Sequence, residues 1–289
     1  MPQWKADGLL LAAAAIWGFA FVAQRVGMEH LGPFTYNGLR FFLGALVLFP
    51  FLLVFGNKQT RAKPHWLIGL FLFAGSAFQQ VGLVYTTAGK AGFITGLYVI
   101  FVPMLLLLRG HKLDKKFWIG AVLATAGLFL LCRPEPGALL IGDGLVLLSA
   151  VFWAVHVLLI AAYAKENPLH VAFGQYLVCS LLSLVVAWIG EPFSLQRTAA
   201  AAWPLLYGGV CSVGLAYTLQ VVAQTKAHPA HAAIILSLEA VFALLGGWLL
   251  LREHLPLAAL MGCLLMLAAM IISRWPAKKA YSAVRGRFT

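Results

Sequence analysis

Two charged side chains stand inside long apolar runs of this sequence: Glu239 within LSLEAVFALL and Arg40 within TYNGLRFFLG. A charge in the middle of a hydrocarbon layer costs about 2.5–3.5 kcal/mol on insertion scales, so each needs a partner or a use. Facing a water-filled cavity, Glu239 can bind a cationic group or take up a proton. Packed between helices, it serves instead as a hydrogen-bonded tie. Arg40 either binds an anion or extends its guanidinium to the membrane boundary.

Other polar and aromatic groups lie in similar runs: Gln79 and Gln80, Tyr98, His156, Tyr217 and Gln220. Trp17 and Trp153 sit well inside their runs rather than at the ends, where indoles usually anchor. Amide, phenol, imidazole and indole groups set in apolar walls suit small amphipathic or aromatic metabolites. The substrate-cavity candidates are therefore Trp17, Gln79, Tyr98, Trp153, His156, Tyr217, Gln220 and Glu239, with helix packing as the competing role for each. For His156 the alternatives are proton carrier and hydrogen-bonded scaffold. Gly92 and Gly96, in GxxxG spacing, precede Pro103, and Gly246 and Gly247 hold comparable positions later. Gly92, Gly96 and Pro103 form a gating candidate, the alternative being simple close packing.

Signals for other chemistry are absent from the sequence. It contains no HExxH, no GxSxG and no phosphate-cradling Walker loop, so neither an intramembrane enzyme nor direct drive by ATP is expected. Cys132, Cys179, Cys211 and Cys263 are scattered singly, without metal-site or disulfide spacing. No cofactor and no metal are expected. Asp7 and Asp143 read as helix caps.

These residues are carried by a chain that is 62% hydrophobic and 10% charged over 289 residues, a composition for which water cannot be the main solvent. Apolar runs predict transmembrane helices at about 6–26, 33–55, 66–87, 91–108, 117–132, 142–163, 169–189, 203–225, 229–250 and 257–275. The run after Lys5 continues through Trp17 to Val22 without a small-x-small cleavage site, and reads as a retained helix. One set of alternate loops holds Lys5, Lys58, Arg61, Lys63, Arg109, Lys112, Lys115, Lys116, Lys165, Lys226 and the five basic residues from Arg274 onward. The opposite set holds Arg25, Lys90, Arg133, Arg197 and Arg252. Cytoplasmic loops carry the excess of Lys and Arg, which places both termini in the cytoplasm and agrees with ten crossings. The net charge of +12 then reads as attraction to anionic lipid at the basic loops and the tail, not as nucleic-acid binding.

The chain also resembles itself. Asp7, Gly8, Leu9, Leu11, Ala14 and Trp17 recur as Asp143, Gly144, Leu145, Leu147, Ala150 and Trp153, all at an offset of 136. Gly75, Phe78 and Ala88 fall opposite Gly214, Tyr217 and Ala227 at an offset of 139. A repeat with an odd number of helices must insert its second copy upside down, which is a recurrent plan of secondary transporters. The expected fold is an all-α integral membrane protein with ten transmembrane helices in two inverted five-helix repeats. Residues 1–136 and 137–275 would be the repeats, and 276–289 a basic cytoplasmic tail.

The segments AGFITGLYVIFVP (Ala91 to Pro103) and LSLEAVFALLGGWLLLREHL (Leu236 to Leu255) resemble signatures of the EamA-type family of the drug/metabolite transporter superfamily. The resemblance spans nearly the whole chain. The sequence departs from the common pattern with Ala240 at a position often held by Pro, and with His111 and Lys112 where a Gly-Glu pair often ends the fourth helix. Membership implies ten helices, a bacterial inner-membrane location, and export or exchange of small metabolites such as amino acids. The resulting expectation is a secondary transporter of amino acids or related amphipathic compounds, working by alternating access around a central cavity, with protons as a candidate coupling ion. A lipid or lipid-linked sugar translocase is the main alternative. A passive channel fits the repeat less well.

Overall fold

A computed structural model describes residues 1–56, 65–86, 88–111, 113–132, 141–251 and 256–273. Among them every regular element is a helix. The first three are α1 (Gln3–Met28), α2 (Pro33–Phe55) and α3 (His65–Tyr85). Then come α4 (Ala88–Gly96), α5 (Tyr98–Leu108), α6 (Lys115–Cys132), α7 (Ile141–Ala162) and α8 (Pro168–Gly190). The short α9 (Leu195–Ala200) and α10 (Ala202–Leu206) lead into a π-helical stretch, Tyr207–Tyr217, and α11 (Thr218–Gln224). The chain continues through α12 (Pro229–Leu236), α13 (Glu239–Leu251) and α14 (Leu257–Ser273). Prolines mark the openings: Pro33, Pro168 and Pro229 stand at the first helical positions, where a missing N–H costs nothing.

Seven segments of the described residues are long and apolar enough to cross a membrane: Gln3–Met28, Pro33–Phe55, His65–Tyr85, Ala91–Leu108, Ile141–Ala162, Pro168–Gly190 and Ala202–Gln224. Pro229–Leu245 and Leu257–Ser273 are shorter apolar helices. Leu53, Val54, Phe55, Leu181, Val185 and Leu264 point outward and exposed, as a surface solvated by lipid requires. The interior is built largely of small side chains, among them Ala6, Ala13, Ala14, Ala154, Ala172, Ala216 and Ala233. Without a hydrophobic drive between helices in lipid, close approach and dispersion hold such a bundle together.

The packing is paired. α1 lies against the π-helical stretch, α11 and α13, while α7 lies against α3, α4 and α5. α2 and α8 pack on each other; α2 also meets the π-helical stretch, and α8 also meets α3. α6 and α14 run together, so close at Gly127 that an added Cβ would sit 2.7 Å from the Gly262 carbonyl oxygen.

Two helices expected to be continuous are divided. Between α4 and α5, Leu97 N–H bonds the Ile94 carbonyl and Ile100 N–H bonds the Leu97 carbonyl, both spanning three residues. Between α12 and α13, Leu238 bonds Ile235, Ala240 bonds Ser237 and Val241 bonds Leu238 in the same way. Each turn is tightened from α to 3₁₀ geometry. Their causes differ. The first falls just after Gly96; in the second, Ser237 Oγ donates to the Ile234 carbonyl at 2.8 Å, competing for a main-chain acceptor.

The cap reading of Asp7 is corrected: it lies inside the first turns of α1 and bonds His231, and the N-cap of that helix is Pro2. Asp143 likewise lies within the first turn of α7, bonded to the Thr86 hydroxyl. At Gly92 an added Cβ would meet nothing within 4 Å, so the close packing expected of the GxxxG spacing is found at Gly96, against Leu128, and not at Gly92. The tail 276–289, and the basic loop residues Lys58, Arg61, Lys63, Lys112, Arg133 and Arg252, lie outside the described residues.

Candidate functional site

A cavity lies near mid-length of the helices, walled by Trp17, Phe21 and Gln24 of α1, Arg40 of α2, Gln79 of α3, Thr95 of α4 and Tyr98 of α5. Trp153 and Val157 of α7, Ser212 and Tyr217 of the π-helical stretch, Gln220 of α11, Leu236 of α12 and Glu239 of α13 complete it. About 50 Å³ of it is clear for water-sized bodies, so as it stands it holds a few waters, and a larger solute must part the side chains.

Tyr217 is the hub of the aromatic wall. Its ring centroid is 4.5 Å from Trp17, 5.8 Å from Phe41 and 6.1 Å from Trp153, the last nearly parallel at 22°. The wide π turns turn main-chain carbonyls toward α1, and Trp17 Nε1 donates to one of them, Ser212 O, at 3.1 Å. Gly75 of α3 gives the Trp153 indole its place; a Cβ there would lie 3.1 Å from the ring.

The polar groups are held with parts of their bonding capacity unused. Gln79 Nε2 donates to Thr95 Oγ1 at 3.0 Å, joining α3 to α4. Gln24 Oε1, Gln220 Oε1 and Trp153 Nε1 are buried with no protein partner. Buried polar atoms are nearly always bonded, so three orphans around one cavity call for water or a solute.

The two charges face this same space. Arg40 is 2% exposed, which overturns the reading of a guanidinium extended to the membrane boundary. Its Nε donates to Asn37 Oδ1 at 2.9 Å, Asn37 Nδ2 donates to the Ser76 carbonyl at 3.2 Å, and the guanidinium lies 5.1 Å from the Phe41 ring centroid. One nitrogen and both flanks are thereby fixed; the terminal nitrogens have no protein acceptor among the described residues. Glu239 opens α13 across the cavity, and no ion pair joins it to Arg40 among the described residues. It is carried there by the crossing of α1, where a Cβ on Gly18 would stand 2.7 Å from the Glu239 carbonyl oxygen and 2.5 Å from Phe242 Cβ. A guanidinium and a carboxyl group that do not pair with each other, between aromatic faces, can receive the two poles of a zwitterion.

Of the candidates read from sequence, Trp17, Gln79, Tyr98, Trp153, Tyr217, Gln220 and Glu239 all line this cavity. His156 does not. Its Nε2 is bonded to Gln175 Oε1 at 2.7 Å, and its ring meets Trp153 and Tyr217 edge-on, behind the wall they form. Phe21, Gln24, Thr95 and Ser212 were not singled out from sequence, and nothing in their local pattern distinguishes them from packing residues. Pro103 is buried in α5, away from the lining.

The sequence profile of the EamA-like transporter family matches residues 4–133 and, a second time, residues 140–275. The chain belongs to the EamA-like transporter family. An uncharacterized transporter of Archaeoglobus fulgidus is 35% identical over 92% of this chain and 85% of its own length. The uncharacterized transporter YoaV of Bacillus subtilis is 26% identical over 89% of this chain and 92% of its own. The uncharacterized inner membrane transporter YedA of Escherichia coli is 30% identical over about half of each chain (51% and 50%). A solved crystal structure at 20% identity superposes with a TM-score of 0.79 over 94% of this chain and 97% of that one, a likeness of fold. This EamA-like protein is thus a multi-pass membrane transporter.

Proposed function

We propose that the chain is a secondary transporter of small zwitterionic metabolites, amino acids or related amphipathic compounds, moving them by alternating access around the central cavity. The observation that carries this reading is the placement of Arg40 and Glu239 on the same aromatic-walled space without an ion pair between them. A substrate carboxylate would meet the terminal nitrogens of Arg40 in a fork geometry, and its ammonium would meet Glu239. Trp17, Trp153 and Tyr217 would take the apolar portion, with further attraction of the ammonium to their ring faces.

The scaffold supports alternating access in three ways. The double profile match and the packing of α1 on α13, paralleled by α7 on α4 and α5, suit two five-helix copies in inverted orientation, ten crossings in all. Midplane discontinuities at Leu97 and at Ser237–Leu238 flank the cavity, as in transporters whose sites are built on interrupted helices. α6 and α14 pack on each other, outside the cavity, and need not move with it. With the basic loops and tail on anionic lipid, both termini face the cytoplasm of a bacterial inner membrane.

Flux of labelled amino acids in proteoliposomes, with and without an imposed pH gradient, tests this. Saturable flux of one zwitterionic class, lost in Glu239→Gln and in Arg40→Gln while uncharged analogues are unaffected, is the expected result. Absence of flux across the panel in folded protein would overturn the zwitterion reading.

A further inference from the structure

The outer side of the divided helix α4–α5 and one face of α6 enclose a groove of about 430 Å³, away from the central cavity. Phe93 of α4 and Ile100 of α5 form one wall. The other is a stripe of α6, Trp118, Val122, Thr125 and Phe129, spaced four, three and four residues apart and so set on one face. Gly120 and Gly127 lie on the opposite face, where α14 packs; a Cβ on them would stand 3.3 Å from the Ala269 carbonyl oxygen and 2.7 Å from that of Gly262. The stripe itself stays open to the surroundings of the bundle, with Val122 65% and Phe129 56% exposed.

We infer that this groove binds one anionic phospholipid, with an acyl chain laid along the α6 stripe and the phosphate at Lys115. The site requires only that the helices span a membrane, and depends on neither the zwitterion nor the alternating-access reading. The same divided helix presents Thr95 and Tyr98 to the central cavity and Phe93 and Ile100 to the groove, so the lipid lies directly behind the cavity wall.

Dimensions and charge select this occupant. From Trp118 to Phe129 the groove runs about 16 Å at 1.5 Å per residue, close to half of a hydrocarbon core of roughly 30 Å and hence to one leaflet's chain. Dividing the volume by that length gives a section of about 27 Å², against about 80–110 Å² for a helix 10–12 Å across. One hydrocarbon chain fits; a helix from a second copy does not. The walls offer a polar solute little, because the Thr125 hydroxyl already donates to the Ala121 carbonyl at 2.8 Å. At the far end Phe93 and Phe129 meet edge-on, 6.1 Å apart. At the near end Trp118 places an indole where headgroups begin, and exposed Lys115 stands one turn before it on the same face. Arg109, which ends α5, adds positive charge there. The one carboxylate of that loop, Asp114, accepts from Lys116 N–H at 3.1 Å and so is turned to the main chain of α6.

Native mass spectrometry of the full-length protein tests the inference, after delipidation in detergent and titration with dioleoyl phosphatidylglycerol or dioleoyl phosphatidylcholine. A basic residue near the membrane surface strengthens anionic-lipid binding by about fivefold, so one phosphatidylglycerol should be held at least about fivefold more tightly than phosphatidylcholine. Lys115→Gln should remove about that factor, and Lys115→Arg should keep it. Ala126→Phe fills the groove from an exposed lining position and should abolish the bound lipid in protein whose melting in detergent shows it folded; Val122→Trp serves if that variant does not fold. Equal binding of the two lipids overturns the inference. So does phosphatidylglycerol retained unchanged in folded Ala126→Phe, which would leave the headgroup held by basic loops alone, and so does a dimer that Ala126→Phe dissolves, which would seat a second copy on this face. Flux plays no part in the readout, so this site and the transport reading fail separately.

Discussion

The tightened turn at Leu97 and that at Ser237–Leu238 have nearly the same backbone and opposite chemistry. Each divides a helix beside the cavity and sets the first residue of the following helix onto the lining: Tyr98 in one case, Glu239 in the other. A phenol donates a hydrogen bond and a carboxyl group can take up or release a proton, so two similar scaffolds present different chemistry to the cavity. Arg40 supplies the opposite pole from a helix with no such interruption. Two similar turns thus gain polarity through the side chains that follow them, which under the proposed function would let them recognise an asymmetric solute.

Changing those two first residues should separate them. Glu239→Gln removes one partner of a proposed desolvated charge contact worth about 2–5 kcal/mol, so kcat/KM for a zwitterion falls by about 30- to 4000-fold, while Tyr98→Phe changes it by less than about tenfold. Equal losses in radiolabelled flux would erase the distinction. Arg40→Lys keeps the charge but not the fork, and should cost about tenfold, with Arg40→Gln costing more. Flux unchanged in both would remove Arg40 from recognition.

The helices that carry the turns differ in how tightly they are held. Gly18→Ala drives a methyl into Phe242 and the Glu239 carbonyl and should cost about 1–3 kcal/mol in detergent-melting experiments. Gly92→Ala enters open space and should lie within about 0.5 kcal/mol of the parent. A reversed order would mean that α1 and α13 do not cross as described. The smallest effect is expected at Pro103, buried in α5 beyond the cavity. Pro103→Ala restores a main-chain donor and should slow transport about two- to threefold if the bend takes part in gating; an unchanged rate leaves Pro103 a packing residue.

The sequence made the apolar spans legible because about 20 consecutive apolar residues have few other uses, and seven of the expected spans find counterparts among the described residues. It also marked Trp17, Trp153 and Glu239, since an indole or a carboxylate deep in an apolar run stands out by type alone. What it did not reveal was rotation. In a lipid-solvated bundle both the buried and the outward faces are apolar, so the stripe that orients a helix in water is missing. His156 therefore read as cavity-facing although it turns toward Gln175, while Gln24 and Thr95, which face the cavity, read as ordinary. Arg40 was misplaced for a related reason: the snorkelling rule assumes a lipid neighbour, whereas Asn37, Tyr36 and Phe41 make a lodging for it inside. The contacts of His231 with Asp7 and Ser273 escaped notice because these partners are separated from it by 224 and 42 residues.

The π-helical stretch works as a phase shifter. Its wider winding over Tyr207–Tyr217 spends extra residues per turn, so everything after it is rotated about the helix axis relative to a regular α-helix of the same composition. The angular settings of Tyr217 and Gln220 are accordingly fixed upstream, by chain that does not itself line the cavity except at Ser212. Removing a single residue near Gly208 or Gly209 would let the coil rewind and swing the aromatic hub away from Trp17 and Trp153, unmaking the site with every one of its side chains still present.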